Sequence, residues 1–470
     1  MAVHGSSVAK VIRPTFKSPL TASYLAAGGA WSGPTVDELL ASCDGFEQVA
    51  RIAGGLVAIG VTPGAVVTWQ SPNRSAVALA YRACWRVGAI AAPLHHQLGT
   101  SETGSLLSAL GEHTKLDLDL LPTGTPVEKL WSDNSAVAAV LFTSGSTGTP
   151  KGVLHTQATL GYKATTMRDV HRITPNDVVL MPAPCAHISG LLNGITMPGV
   201  AGARTVYMAK WNPEAAVELI EKEHVTFMIG PPTFFISLMG ASNFSASRVA
   251  SLRLISSGGA GVTPAFVEST RTSLNARVKR TYGSTEAPSV ATNAANDDAH
   301  DESHDGRAIG QAELRISPEG ELLVRGPEVC VGYLDAKQND AAFDSEGWFH
   351  TGDLATLDHD GWLNITGRLH DMIIRGGENI AAIAVEAVLE AHPNVQLAAV
   401  VGIPDERLGE SICAFVVADT GFDLDVCRDW FEARGIARWK TPERVIVMES
   451  LPMLASGKTD KAGLKRIALG

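Results

Sequence analysis

Paired cysteines are missing from this chain. The six present (Cys43, Cys84, Cys185, Cys330, Cys413 and Cys427) are scattered, with no C-x-x-C pair among them. That excludes a zinc-ribbon spacing and a disulfide framework, and fits reduced thiols in a cytoplasm. Positive charge is also short: 38 basic side chains stand against 49 acidic ones, for a net −11. A nucleic-acid surface is thereby excluded, and an anionic nucleotide would depend on local donors and a metal cation. Long hydrophobic runs are absent too. The best, Ala76 to Leu94, is interrupted by Arg82 and Arg86, and the first twenty residues lack the apolar core of a signal peptide. The expectation is a soluble, cytoplasmic protein without a membrane span.

What is present is a globular composition, 45% apolar and 19% charged over 470 residues, enough for about three structural units. The most informative stretch is Leu141 to Val153, LFTSGSTGTPKGV. Thr143, Ser144, Ser146, Thr147 and Thr149 alternate with Gly145 and Gly148, and Lys151 closes the run. Glycines let several backbone N–H groups converge on one anion, hydroxyls add donors, and a lysine supplies charge. Apolar Ala136 to Phe142 leads in like a buried strand, so the loop emerges where α/β enzymes hold ligands. It is not a Walker A loop, because Pro150 and Gly152 flank the lysine. On composition alone a surface linker remains open.

Further along, helical spacing from Thr35 to Ile59, a strand from Ala65 to Trp69 and a helix from Ser75 to Val87 describe an α/β layer. Met181 to Leu192 (MPAPCAHISGLL) reads as a pocket wall with a single His187, which a satisfied buried imidazole would equally explain. A strand at Leu252 to Ile255 precedes the turn Ser256 to Gly261, whose glycines do not form G-x-G-x-x-G. Tyr282-Gly283-Ser284-Thr285-Glu286 suits a helix cap as well as a binding loop. Asn296 to Asp305 mixes acids with His300 and His304, and reads as a solvated loop before a metal cluster. Gly320 to Gly326 with Gly332-Tyr333 reads as a hairpin. Asp353 follows a glycine, as turn residues do, and Lys458 in LPMLASGKT would by itself be a solvent-exposed base.

Taken together, the motifs at 141–153, 282–286, 320–326, 347–368 and 451–459 resemble those of the adenylate-forming superfamily, which includes acyl- and aryl-CoA synthetases, firefly-type luciferases and peptide-synthetase adenylation domains. The resemblance runs from about Thr35 to Leu464. It implies an α/β fold: a large N-terminal domain (1–367) of α/β-layered subdomains plus a β-barrel-like part, a hinge at 368–370, and a small mobile α+β C-terminal domain (371–470).

Residue by residue, it implies that Thr143, Ser144, Gly145, Ser146, Thr147, Gly148 and Lys151 cradle ATP phosphates. Gly258, Gly259 and Ala260 lie along the adenine, with Tyr282, Gly283 and Ser284. Thr285 contacts the α-phosphate and Glu286 holds Mg²⁺. Asp353 and Arg368 take the ribose, His187 lines the carboxylate pocket, and Gly376, Gly377 and Glu378 approach coenzyme A. Lys458 reaches in for the first half-reaction, and His370 is the hinge. The implied chemistry is carboxylate plus ATP giving an acyl-adenylate and pyrophosphate, then acyl-CoA and AMP.

The alternatives are an adenylating enzyme serving an acyl carrier protein, a luciferase-like monooxygenase and an inactive nucleotide-binding protein. Either a monomer or a homodimer fits. Departures from the family pattern are a short stretch between Glu102 and the phosphate loop, His370 where Asp or Lys is usual, Ala382 where Pro is usual, and no acid in Cys185 to Gly190 for a substrate amine. The segments His187–Met197, Gly230–Leu238 and Gly258–Val262 are small and apolar, suiting an uncharged hydrophobic acyl tail.

Overall fold

The computed structural model describes residues 12–143, 151–293, 304–454 and 458–469, with His370 described in its backbone only. Four sheets organise it. In the first, strands run in the order Thr114–Lys115, Val66–Gln70, Ile90–Leu94, Val137–Thr143, Lys151–Thr156. All pairs are parallel except the last, an antiparallel hairpin in which Thr143 faces Lys151. The two ends of the hydroxyl-rich run are thus neighbours across a ladder, while Ser144 to Pro150 lie outside the described residues.

The second sheet has seven strands: five parallel ones, Arg277–Tyr282, Leu254–Gly258, Phe227–Gly230, Val178–Met181 and Arg204–Tyr207, and beyond Arg277–Tyr282 the short antiparallel Ala291–Thr292 and Arg307–Ala308. Helices cover it because each crossover strand must bury both faces. Asn212 caps the helix Pro213–Glu223 through its side chain, with proline at the first helical position. The third sheet is a four-stranded antiparallel meander from Glu313 to Arg368, and it is the part expected to be barrel-like. The fourth, from Met372 to Val447, is antiparallel apart from its last strand and packs the helices Ala382–Glu390, Leu424–Ala433 and Lys461–Leu469 into separate apolar cores.

Several expectations change. The helical spacing from Thr35 to Ile59 is two helices, Val36–Leu39 and Phe46–Ala58, split by a turn entered at Gly45 with φ +80°. The strand expected at Leu252 to Ile255 is Leu254–Gly258, so Ser256 and Ser257 belong to the sheet and not to the turn. Residues 283–288 form no helix, which removes the helix-cap reading of the Tyr282 motif. Gly332-Tyr333 is not the second arm of a hairpin; Glu321–Arg325 pairs instead with Glu313–Ile316 and Phe349–Leu357. Residues 294–303, and so His300, lie outside the described set. Asp305 is not solvated: it is buried in an ion pair with Arg280. Among the described residues no helix is long and apolar enough to cross a membrane.

Two fully buried charges tie the third sheet to the helix Gln157–His171. Lys163 and Glu328 are 3.2 Å apart, at 1% and 0% side-chain exposure. Removing one partner of such a pair strands the other without water. Glu328→Ala is therefore expected to lower the unfolding free energy by about 3–5 kcal/mol, read from urea denaturation.

Burial also sets an acid limit. His95 and His155 are both driven down to about 4, chiefly by loss of water around the ring, against the hydrogen bond that His155 makes to Thr285. The unfolded chain then takes up protons first as pH falls, so stability is complete above the ordinary histidine value and erodes between about 6.5 and 4. The urea midpoint should fall across that window, with a shallower slope in His155→Gln.

Candidate functional site

Two parallel sheets end in one place. His95 follows the strand Ile90–Leu94, and His187 follows the strand Val178–Met181 across the loop 182–187. Their rings lie 5.4 Å apart, with His96 a further 4.7 Å beyond His95. The loop is locked from the first sheet. Asn73 Nδ2 donates to the carbonyls of Met181 (3.2 Å) and Ala183 (2.7 Å), and Asn73 Oδ1 accepts from Cys185 N (2.8 Å). Tyr81 Oη donates to the Cys185 carbonyl at 2.8 Å. Burial, with His95 and Lys458 nearby, brings His187 down to about 4, so the ring is neutral near pH 7. Cys185 is buried and its thiol is pushed up to about 12. The segment after His187 winds into one π-helical turn, Leu192–Thr196, a distortion found often at functional sites.

The strand Arg277–Tyr282 delivers the next group. Tyr282 Oη donates to Asp353 Oδ2 at 2.6 Å, and Arg368 Nε donates to Asp353 Oδ1 at 2.7 Å. Asp353 is 5% exposed and sits after Gly352, whose φ of +72° turns the chain inward. Each carboxylate oxygen keeps a second lone pair for an incoming hydroxyl. Ser284 is spent on the turn: its hydroxyl accepts from Ala287 N at 3.1 Å. The Thr285 carbonyl accepts from His155 Nε2 at 2.8 Å, and the Glu286 carbonyl from Cys330 N at 2.7 Å. Glu286 Oε1 accepts from Tyr333 Oη at 2.9 Å.

Lys458 enters this arrangement from the far end of the chain. It is partly buried, within electrostatic reach of Arg368, Asp353 and Glu286, and burial followed by Arg368 lowers its pKa while the two acids oppose that. The expectation that a lone C-terminal lysine is solvent-exposed fails here. The backbone makes room for it: Gly259 has φ +78°, and a Cβ there would come within 3.3 Å of the Lys458 stem. At Gly258 a Cβ would lie 2.0 Å from the Thr281 carbonyl, so only glycine fits between the paired strands.

A cavity of about 830 Å³ opens at this point, lined by Gly259, Ala260, Tyr282, Gly283, Asp353 and Arg368 together with Lys458. Its volume suits a nucleotide-sized ligand. Outside this lining, the Lys151 ammonium lies 5.2 Å from the centre of the Tyr333 ring.

The structure therefore gathers His187, Glu286, Asp353, Arg368 and Lys458 from four separate stretches of chain. It does not gather the residues expected at coenzyme A. Gly376 and Gly377 make the turn between the strands Met372–Arg375 and Glu378–Ala381, and with Glu378 they are exposed, outside the cavity lining. His370 lies in the short 3₁₀ turn Leu369–Asp371 that joins the third sheet to the fourth. Asn73, Tyr81, His95, His155 and Tyr333 were not singled out from the sequence. Polar residues in otherwise apolar strand ends, such as His155 within KGVLHT, were the available signal.

The AMP-binding enzyme profile matches residues 44–111 and 105–334, and the profile of the AMP-binding enzyme C-terminal domain matches 384–458. The medium-chain fatty-acid–CoA ligase of Escherichia coli (strain K12) is 31% identical over 88% of this chain and 83% of its own length. The 3-[(3aS,4S,7aS)-7a-methyl-1,5-dioxo-octahydro-1H-inden-4-yl]propanoyl:CoA ligase of Mycobacterium tuberculosis (strain ATCC 25618 / H37Rv) is 34% identical over 92% and 94%. Among solved structures, the O-succinylbenzoate coenzyme A synthetase of Bacillus subtilis, in complex with ATP and magnesium ion, superposes with a TM-score of 0.80 at 27% identity, covering 92% of this chain and 99% of that one. With profile matches across both the large and the small part, and relatives of this identity along nearly its whole length, the chain belongs to the AMP-binding enzyme family.

Proposed function

We propose that this protein is an ATP-dependent carboxylate–CoA ligase working in two half-reactions at one site. The observation that carries the reading is Lys458: a cation from the last residues of the chain lies beside Asp353, Glu286 and His187 of the large domain. The carboxylate attacks the α-phosphorus of ATP, the bond to pyrophosphate breaks, and an acyl-adenylate forms. Coenzyme A thiolate then attacks the acyl carbonyl, and AMP leaves with the electron pair of the broken acyl–oxygen bond. Such chemistry needs positioning and charge neutralisation more than covalent help.

In this scheme Lys458 bridges the carboxylate and the reacting phosphate. Asp353 accepts the ribose hydroxyls, supported by Tyr282 and Arg368, and the neutral His187 faces the carboxylate. Thr285 contacts the α-phosphate, while Lys151 and the residues from Thr143 to Gly148 take the departing pyrophosphate.

Mg²⁺ fits what is present. No group of three or more His, Cys, Asp or Glu able to cage a metal occurs among the described residues, and a single carboxylate plus substrate phosphates is the donor set this ion ordinarily takes. Glu286 would hold it, with one oxygen already occupied by Tyr333, and the ion would offset phosphate charge. Residues 371–470 form the small domain, with the hinge at 368–370, and its rotation would withdraw Lys458 and bring Gly376 to Glu378 toward the thiol. The acyl group is a hydrophobic carboxylic acid, since the segments near His187, Gly230 and Gly258 are dominated by small and apolar side chains.

The test is release of pyrophosphate and AMP from ATP·Mg²⁺ across fatty, aryl and alicyclic acids, with and without coenzyme A. AMP turnover that rises on adding coenzyme A supports the ligase. A single pyrophosphate per enzyme with no response to coenzyme A would overturn it in favour of a carrier-protein acceptor. Lys458→Ala should slow acyl-adenylate formation by about 100-fold or more, while synthetic acyl-adenylate plus coenzyme A is still converted at a near wild-type rate in stopped-flow assays.

A further inference from the structure

Residues 330–334 run as an extended strip between the two motifs that face the phosphates. On one side they pair with the strand Lys151–Thr156. Val331 N donates to the Leu154 carbonyl (2.9 Å), Leu154 N to that of Gly332 (3.0 Å), and Leu334 N to that of Gly152 (2.7 Å). Val153 and Tyr333 are bridge partners. On the other side Cys330 N holds the Glu286 carbonyl. The strip is itself fixed: Tyr333 N donates to Asn339 Oδ1 at 3.0 Å, and Thr15 Oγ1 donates to the Tyr333 carbonyl at 2.6 Å.

Tyr333 is 2% exposed, yet its side chain touches two charged groups of the proposed site. The hydroxyl donates to Glu286 Oε1, and the ring face receives the Lys151 ammonium. With Oε1 engaged, the carboxylate rotor is set and Oε2 is the oxygen left to a cation, the arrangement by which outer partners tune metal ligands. The ring holds the lysine without neutralising it, because its quadrupole attracts the cation and carries no net charge.

We propose that Tyr333 is a positioning residue for metal–nucleotide binding, orienting Glu286 through its hydroxyl and Lys151 through its ring face. This rests on the reading of Glu286 and Lys151 as the groups that meet Mg²⁺ and the phosphates.

The test is calorimetric titration of ATP into the full chain without any carboxylic acid, once with Mg²⁺ and once with EDTA. Tyr333→Phe removes only the hydroxyl. It should weaken ATP·Mg²⁺ binding by about tenfold, leave metal-free ATP binding unchanged, and melt near the wild-type temperature. Tyr333→Leu, which also removes the ring face, should weaken both. Glu286→Gln serves as the reference and should weaken ATP·Mg²⁺ binding at least as much as Tyr333→Phe. If Glu286→Gln weakens binding and Tyr333→Phe does not, the role of Tyr333 is overturned while the ligase reading stands. Equal loss in Tyr333→Phe with and without metal overturns the route through Glu286. Wild-type binding in Glu286→Gln overturns both the metal-ligand reading and the inference built on it.

Discussion

The Asp353 carboxylate, gripped from one side by Tyr282 and from the other by Arg368, is the interaction on which the site depends. Tyr282 ends a strand of the second sheet, Asp353 lies in the third, and Arg368 is the last residue before the turn into the fourth. Two layers are therefore registered at one buried acid, since Asp353 and Arg368 are paired within the third sheet. Because Arg368 is held at a fixed point, the small domain begins from a fixed point, and Lys458 can find the cleft from some ninety residues further on. A chain with net charge −11 has few cations to spare for a triphosphate. Placing Arg368 and Lys458 at one cavity resolves that locally, against the sign of the whole molecule.

How much of this was legible in the sequence follows from the range of each interaction. The parallel strands and their helices were readable because periodicity and turn residues are local. The apolar run before Thr143 announced a buried strand. The motif residues Asp353, Glu286 and Lys458 were legible only jointly, through the resemblance. Alone, an Asp after a glycine or a lysine near a C-terminus says turn and solvent, and it is tertiary packing that buries them.

What stayed hidden was the support. Asn73 gripping the loop before His187, His155 donating to the Thr285 carbonyl and Tyr333 donating to Glu286 all join residues far apart in the chain. No local pattern encodes such a partner. The Gly332-Tyr333 pair misled for the same reason: it looks like a hairpin arm, but Tyr333 makes a single bridge to Val153 of the strand Lys151–Thr156 and does not pair with its sequence neighbour.

The residues proposed to meet coenzyme A make a different point. Gly376, Gly377 and Glu378 form an exposed turn while Lys458 occupies the cleft. Both sets belong to the small C-terminal part, so on the proposed assignment one site cannot hold the lysine and that turn together, and the order of the two half-reactions is set by that part's orientation.

Finally, the thiols. Burial raises the pKa of all six cysteines, and Cys185, two residues from His187, is pushed up to about 12. An acyl-adenylate is an indiscriminate electrophile toward thiolates, and the attacking species is always the anion. On the proposed assignment, in which His187 faces the carboxylate, a sulfur kept protonated at Cys185 denies the intermediate an internal acceptor, and the activated acyl group survives until an outside thiol arrives.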